Sequence, residues 1–367
     1  MNREALLPLL TLNATRGIGT VLFSRLVAKF GSAEEALRAP EAALLEVRGV
    51  RPSLAKAIRE AREGGAGEKD LALAEKLGAR ILTRDEPEFP MMLRQTADPP
   101  FLLYMQGTLL PEDSLALAIV GTRQSTPYGE QTASRLAGEM ARRGVTIVSG
   151  LARGIDTFAH QGALNAKGRT IAVLGSGLGH IYPPENQGLA RKVPLSGALL
   201  SEYPCATGPD ARNFPRRNRI VSGLSLGVIV VEAPEKSGAI ITCDWALEQG
   251  REVFAVPGKI DSPASAGCHR LLQQGAKLVT SIEDIFEELG PHRARIKPIG
   301  DDLAAKKEAP LDGTQQAILD LLDSDAREMD ELIEGSALPA ATVSATLLML
   351  EMRGLARALP GNRYVRA

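Results

Sequence analysis

Cysteine, aromatic side chains and net charge are all scarce in this chain, and each scarcity excludes something. Three cysteines (Cys205, Cys243, Cys268) are spread over 367 residues with no CxxC pair. That argues against a disulfide framework or zinc site and for reduced thiols in a cytoplasmic setting. The four histidines (His160, His180, His269, His292) show no metal-ligand spacing, so neither a metal nor another cofactor is expected. Aromatics make up 4% of the chain, too few for a stacking platform across many bases. A net charge of −1 supplies no global field, so any binding to a polyanion must come from a local basic patch. No apolar run approaches the ~18 residues of a membrane span. The opening MNREALLPLLTLNATRG has too short an apolar core for a secretory signal. Otherwise the 44% apolar and 24% charged content is that of an ordinary globular chain.

What the chain does have is a repeated unit between residues 116 and 258: an apolar run, then a glycine-bearing turn, then a helical stretch. ALAIVGTRQSTPYGEQ, VTIVSGLARGID, TIAVLGSGLG and LGVIVVEAPEKSGAIIT are its statements. Short β-branched runs alternating with helical stretches predict βαβ units and a parallel sheet, an extended Rossmann-like α/β fold. Right-handed crossovers bring all strand carboxyl ends to one edge, where backbone N–H groups and helix N-termini suit anions.

The turns carry the candidate site. Gly121-Thr122-Arg123 places a glycine, a hydroxyl and a guanidinium at a strand end, and arginine's planar fork suits phosphate. Gly150 to Gly154 repeats this with Arg153 between glycines; Asp156 is read as the N-cap of the next helix and His160 as a structural hydrogen-bonding group. Arg212-Asn213-Phe214-Pro215-Arg216-Arg217-Asn218-Arg219 holds four arginines, two asparagines, one aromatic and no acid. A charge run of this kind is often only a solvated face, but apolar packing resumes at Ile220. Polyanion recognition, with Phe214 stacking on a base, explains the whole set better. Lys236, Ser237 and Gly238 open another helix as a phosphate cradle, while Glu232 alone is weak grounds for catalysis. Gly175-Ser176-Gly177-Leu178-Gly179 falls short of a dinucleotide fingerprint, because its third glycine comes early and Tyr182-Pro183-Pro184 interrupts the helix. It is read as a close backbone approach to an anion or another strand.

Four segments are expected. Residues 1–65 form a helical, helix-hairpin-helix/SAM-like domain, in which TRGIGTVLFSRLVAKFG and VRGVRPSLAKAIREARE start alike and Gly17 and Gly49 lie 32 positions apart. Such hairpins present N–H groups to DNA phosphates or merely close tight turns. EGGAGEKD (63–70) reads as a flexible break, and residues 66–290 as the α/β domain, whose first ~40 residues form a proline-rich bridge with no assigned element. Residues 291–311 read as a charged linker, and 312–367 as a winged helix: three helical patterns and a hairpin at Pro360-Gly361-Asn362. Its third helix, ATVSATLLMLEM, lacks the side chains that read a major groove.

GTRQSTPYG, SGLARGIDTFAH, NFPRRNRIVSGLS, EAPEKSGAIIT and VPGKIDSPASAGCHRLLQQGAKLV, in this order, resemble the DNA-processing protein A family (DprA, also called Smf). The resemblance is dense over about residues 90–290 and looser at both ends. It implies a single-stranded DNA binder that is not an enzyme, acting in natural transformation. It further implies loading of the recombinase RecA, help in displacing single-strand-binding protein, and homodimers formed through the Rossmann domain. By motif match the DNA pocket falls on Arg123, on Phe214 and the arginines after it, and on Lys236 with Ser237 and Gly238. Position 212 departs from the family, which often carries lysine there. Two other readings stay open: a nucleotide phosphoribohydrolase of the lysine-decarboxylase-like group, whose paired glycines are missing from Glu235 to Thr242, and a transcription regulator using the winged helix.

Overall fold

Nine strands form one sheet: β1 (Arg80–Thr83), β2 (Leu102–Gly107), β3 (Ala116–Val120), β4 (Thr146–Ser149), β5 (Thr170–Leu174), β6 (Ala198–Ser201), β7 (Gly227–Val230), β8 (Glu252–Ala255) and β9 (Lys277–Leu278). The computed structural model describes residues 3–298, 311–323, 326–353, 355–359 and 361–366. The strand order is β1-β2-β6-β5-β4-β3-β7-β8-β9, antiparallel at β1–β2 and β2–β6 and parallel elsewhere. Along β3, Ala116, Ala118 and Val120 enter one core while Leu117 and Ile119 enter the opposite one. Both faces are covered, which is why the strand reads as an unbroken apolar run.

From β3 the chain steps outward through β4, β5 and β6, then returns to lay β7 on the other side of β3. The reversal opens a crevice beyond the carboxyl ends of β3 and β7, where open α/β sheets bind ligands.

Three expectations change. The proline-rich bridge supplies β1 and β2, antiparallel strands that widen the sheet past β6. The break at 63–70 is a tight turn: Gly65 takes a left-handed conformation and a sixth helix runs over Ala66–Lys76. The helical segment therefore does not end at 65. Its Leu10, Leu12, Leu26 and Ile58 share a core with Leu102, Tyr104 and Leu199 of the sheet. Tyr104 ties the two together by donating its hydroxyl to Asp70 and accepting from Asn13 Nδ2 at 3.2 Å. Of the expected linker, residues 291–298 dock on the α/β domain, where the Lys297 N–H donates to the Arg143 carbonyl at 2.9 Å. Residues 299–310 lie outside the described residues.

The chain divides at residue 298 into two units. The second holds helices Gly313–Leu321, Met329–Ser336 and Ala340–Met352 with strands β10 (Arg327–Glu328), β11 (Ala356–Leu359) and β12 (Arg363–Arg366). Gly361 and Asn362 have φ of +85° and +57°, the geometry of a tight hairpin turn. Its third helix exposes Leu348 and Met349, and Arg353 donates to Gln315 Oε1 at 2.8 Å. No single helix among the described residues is long and apolar enough to cross a membrane.

Candidate nucleic-acid interface

A carboxylate braces the loop at the switch point. Thr122 donates its N–H to the Glu232 carbonyl at 2.7 Å, locking the Gly121-Thr122-Arg123 turn across β3 and β7. The buried Glu232 carboxylate accepts the Thr126 N–H at 2.9 Å and its hydroxyl at 2.5 Å. Thr126 in turn caps the Pro127–Arg142 helix by accepting from Gly129 at 3.2 Å. With both carboxylate oxygens taken, Glu232 is a clamp on the loop that carries Arg123.

The arginine run is not a loop. Asn213–Gly223 is a helix, and Pro215 fits in its first turn, where no intrahelical N–H is needed. Helical spacing splits the run by burial. Arg216 is exposed without an ion-pair partner among the described residues, and exposed Arg212 pairs with Asp210 at 2.6 Å. Arg217 is only 4% exposed, donating to the Gly150 carbonyl at 2.5 Å and to that of Val173. Arg219, 6% exposed, pairs with Glu202 and with Asp98 at 3.4 Å. As a cationic anchor on a strand path Arg219 is therefore corrected, its donors being spent on Asp98 and Glu202. Arg217 is a strut to the Gly150 and Val173 carbonyls that also lines the cleft.

Arg217 also explains its surroundings. A Cβ on Gly150 would overlap its guanidinium, so only glycine fits there. Asp156 is not the N-cap of its helix, because Gly154 holds that position. The carboxylate instead accepts N–H bonds from Gly150 at 3.0 Å and Ala152 at 3.3 Å. Burial pushes the Asp156 carboxyl up, opposed by the positive field of Arg217 and by those N–H groups. His160 bonds Thr170 Oγ1 through Nδ1 at 2.7 Å, not Asp156. Thr170 Oγ1 already donates to the Ile147 carbonyl at 2.8 Å, so His160 Nδ1 carries the proton.

That histidine makes stability depend on pH. Burial first, and the Arg217 charge second, lower its pKa from 6.5 to about 3. The unfolded chain thus takes up a proton below about pH 6.5 that the folded chain refuses until about 3. The stabilisation is present above pH 6.5 and is lost as pH falls, by about 2 kcal/mol at pH 5. We expect urea midpoints to drop between pH 7 and pH 5, and the drop to shrink in His160→Gln; an unchanged slope would remove His160 from the account.

The crevice forms a cleft of about 740 Å³. Gly121, Thr122, Arg123, Gly150, Arg153, Phe214, Arg217, Asn218, Lys236, Ser237 and Gly238 all line it; Arg212, Arg216 and Arg219 do not. Arg123 Cζ lies 5.2 Å from the Phe214 ring centroid, the Phe214 and Tyr182 rings are 5.7 Å apart at 47°, and Arg153 Cζ lies 6.0 Å from the Tyr182 ring. Glu185 pairs with Arg153 from outside. Exposed Lys236 precedes Ser237, whose Oγ caps the Gly238–Glu248 helix by accepting from Ala239 at 3.2 Å, while Asn218 donates to the Gly238 carbonyl at 3.1 Å. The sequence reading missed Tyr182, seen there only as a helix breaker. Its one signal was an aromatic following a strand-end glycine turn on the ligand edge. The glycines before it serve close approach: a Cβ on Gly175 would sit 2.6 Å from Phe214 Cδ1, and one on Gly179 2.7 Å from the Cys205 carbonyl.

Fold and site together define a Rossmann-like protein with a cationic, ring-lined cleft at the sheet's switch point, extended by a helical cover and a winged-helix unit. The family described as DNA recombination-mediator protein A matches residues 80–290, and the DprA winged helix domain matches 303–362. The chain belongs to the DNA processing protein A family, DprA/Smf. It is 36% identical to Protein Smf of Synechocystis sp. over 96% of both chains. It is 49% identical to DNA processing protein DprA of Bacillus subtilis over 60% of this chain and 74% of that one. The X-ray structure of DprA from Streptococcus pneumoniae superposes with a TM-score of 0.64 at 34% identity, covering 76% of this chain and 95% of that one. DNA processing protein A from Helicobacter pylori, described for its single-stranded DNA binding mode, gives 0.52 at 32% identity over 58% and 97%.

Proposed function

We propose that this protein binds single-stranded DNA along the switch-point cleft without sequence preference and without catalysing a reaction. The observation that carries this reading is the run of guanidinium, ring, ring and guanidinium from Arg123 through Phe214 and Tyr182 to Arg153, with Lys236 on the same cleft. Flat faces suit any base and the cations suit any phosphate, so sequence carries little weight. The single-stranded DNA binding mode described for the Helicobacter pylori relative supports it. So does the Glu232 carboxylate, which is committed to the Thr126 N–H and hydroxyl as a clamp on the Arg123 loop. On this reading the protein protects incoming strands in the cytoplasm and hands them to RecA in competence and recombination, against single-strand-binding protein. It acts as a homodimer, whose two clefts raise affinity through effective concentration.

The test is fluorescence anisotropy with a ~25-nucleotide single strand and its duplex between about 50 and 200 mM salt. The expected result is tighter binding of the single strand and a steep negative salt slope, reduced by about one unit in Arg123→Ala and in Lys236→Ala. Equal affinity for both DNAs, or release of base from nucleoside monophosphates, would refute the reading.

A further inference from the structure

The N-terminal repeat is structural, and it is closer than the sequence shows. Hydrogen bonds from Thr15 N–H to Leu12, Ile18 to Thr15 and Phe23 to Gly19 recur 32 residues later as Val47 to Leu44, Val50 to Val47 and Ala55 to Arg51. Gly17 and Gly49, with φ of +102° and +101°, turn the two hairpins alike. The packing between them is reciprocal: a Cβ on Gly17 would lie 3.3 Å from Leu54, and one on Gly49 3.0 Å from Leu22. Leu22 and Leu54 are themselves 32 residues apart, so the two hairpins are related by a local dyad.

Charge on this pair is divided unevenly. Lys29, Arg38, Lys56, Arg59 and Arg62 are neutralised by glutamates of the same helical segment. Arg16, Arg25, Arg48 and Arg51 are exposed at the hairpins, and none has an ion-pair partner among the described residues. Arg25 donates to the Arg48 carbonyl at 2.8 Å and so sits at the second hairpin. The pair also reaches the Asn213–Gly223 helix, which carries Phe214 into the cleft. Thr20 donates to Asp98, whose carbonyl and carboxylate hold Arg219 on the Asn213–Gly223 helix. Asp210, whose neighbours Pro209 and Ala211 line the cleft, is held well below the usual carboxylate range by Arg212, with the field of Arg16 adding to it.

We propose that the paired hairpins are a second nucleic-acid site that grips the two backbones of a DNA duplex, and that the preferred substrate is a junction of duplex and single strand. A duplex has local dyads relating its strands, so two dyad-related basic hairpins meet two equivalent phosphate tracks; a lone strand offers no such pair. The contacts are to phosphate and carry no sequence preference. The proposal rests on the cleft being the single-strand site, since the hairpins reach the helix that carries Phe214 into it.

The experiment measures the full chain against a single strand, a blunt duplex, and a duplex with a single-stranded overhang. The overhang DNA is expected to bind about tenfold tighter than the single strand, because the second contact is intramolecular. The triple reversal Arg16→Glu, Arg48→Glu, Arg51→Glu is expected to erase that gain and leave single-strand affinity within about twofold. The triple lysine variant keeps most of the gain. An overhang no tighter than the single strand would overturn the proposal, as would a reversal that weakens both DNAs equally. Failure of the cleft reading looks different: Arg123→Ala would leave single-strand binding intact.

Discussion

Arg217→Ala is expected to destabilise the protein by about 3 to 5 kcal/mol, the cost of breaking a buried, charge-compensated group by removing one side of it. The guanidinium serves the carbonyls of Gly150 and Val173 and opposes the buried Asp156 carboxylate. Alanine leaves two acceptors and a buried acid without their cation. Arg123→Ala is the contrast: exposed at the cleft, it is expected to change stability by about 0.5 kcal/mol or less while weakening single-strand binding. Urea denaturation and anisotropy on both variants separate a strut from an anchor. If Arg217→Ala unfolds like the parent yet loses DNA, its guanidinium faces the strand in solution and the structural assignment is wrong.

The same arginine shows where reading the sequence stops. Four arginines in eight residues predict a polyanion site, but the run cannot say which of them face the switch-point cleft. A helix from Asn213 turns Arg217 onto the side of Ile220, Val221 and Leu224, all buried. Pro215 conceals that helix, since proline inside an apparent loop reads as a breaker and only its place in the first turn makes it harmless. Arg219 is settled by Glu202 and Asp98, the latter brought from 121 positions away. Partners at that distance leave no local pattern.

Legibility of the fold follows the same division. Strands buried on both faces, such as Ala116–Val120 and Thr170–Leu174, announce themselves as apolar runs, and their turn glycines mark the ligand edge. The C-terminal hairpin is equally plain, because Gly361 and Asn362 tolerate the positive φ its turn demands. The edge strands β1 and β2 hide among prolines, and their pairing with each other and with β6 is set by tertiary packing. The sixth helix hides behind Gly64-Gly65, where a left-handed residue makes a sharp corner and the run of glycines mimics a flexible joint.

Phe214→Ala is expected to weaken single-strand binding about 5- to 150-fold, the loss of one base stack of 1 to 3 kcal/mol. The ring is the middle of the cleft: Gly175 lies behind it, Arg123 over it and Tyr182 beside it. Alanine therefore removes a stacking surface and the ring that the Arg123 guanidinium lies over. Phe214→Tyr keeps both and should retain most of the affinity. Gly175→Ala tests the same geometry from behind, since its methyl would meet Phe214 Cδ1 at 2.6 Å and push the ring into the cleft. If both variants act through the ring, their effects will not add: the double variant will bind no worse than Phe214→Ala, because no ring remains to displace. Binding of the parent and Phe214→Ala to a strand with abasic positions supplies the chemical control. Removing bases lowers parental affinity and leaves the alanine variant nearly unmoved where stacking is the contact. Equal losses in both would place the strand on its phosphates alone and take Phe214 out of the site.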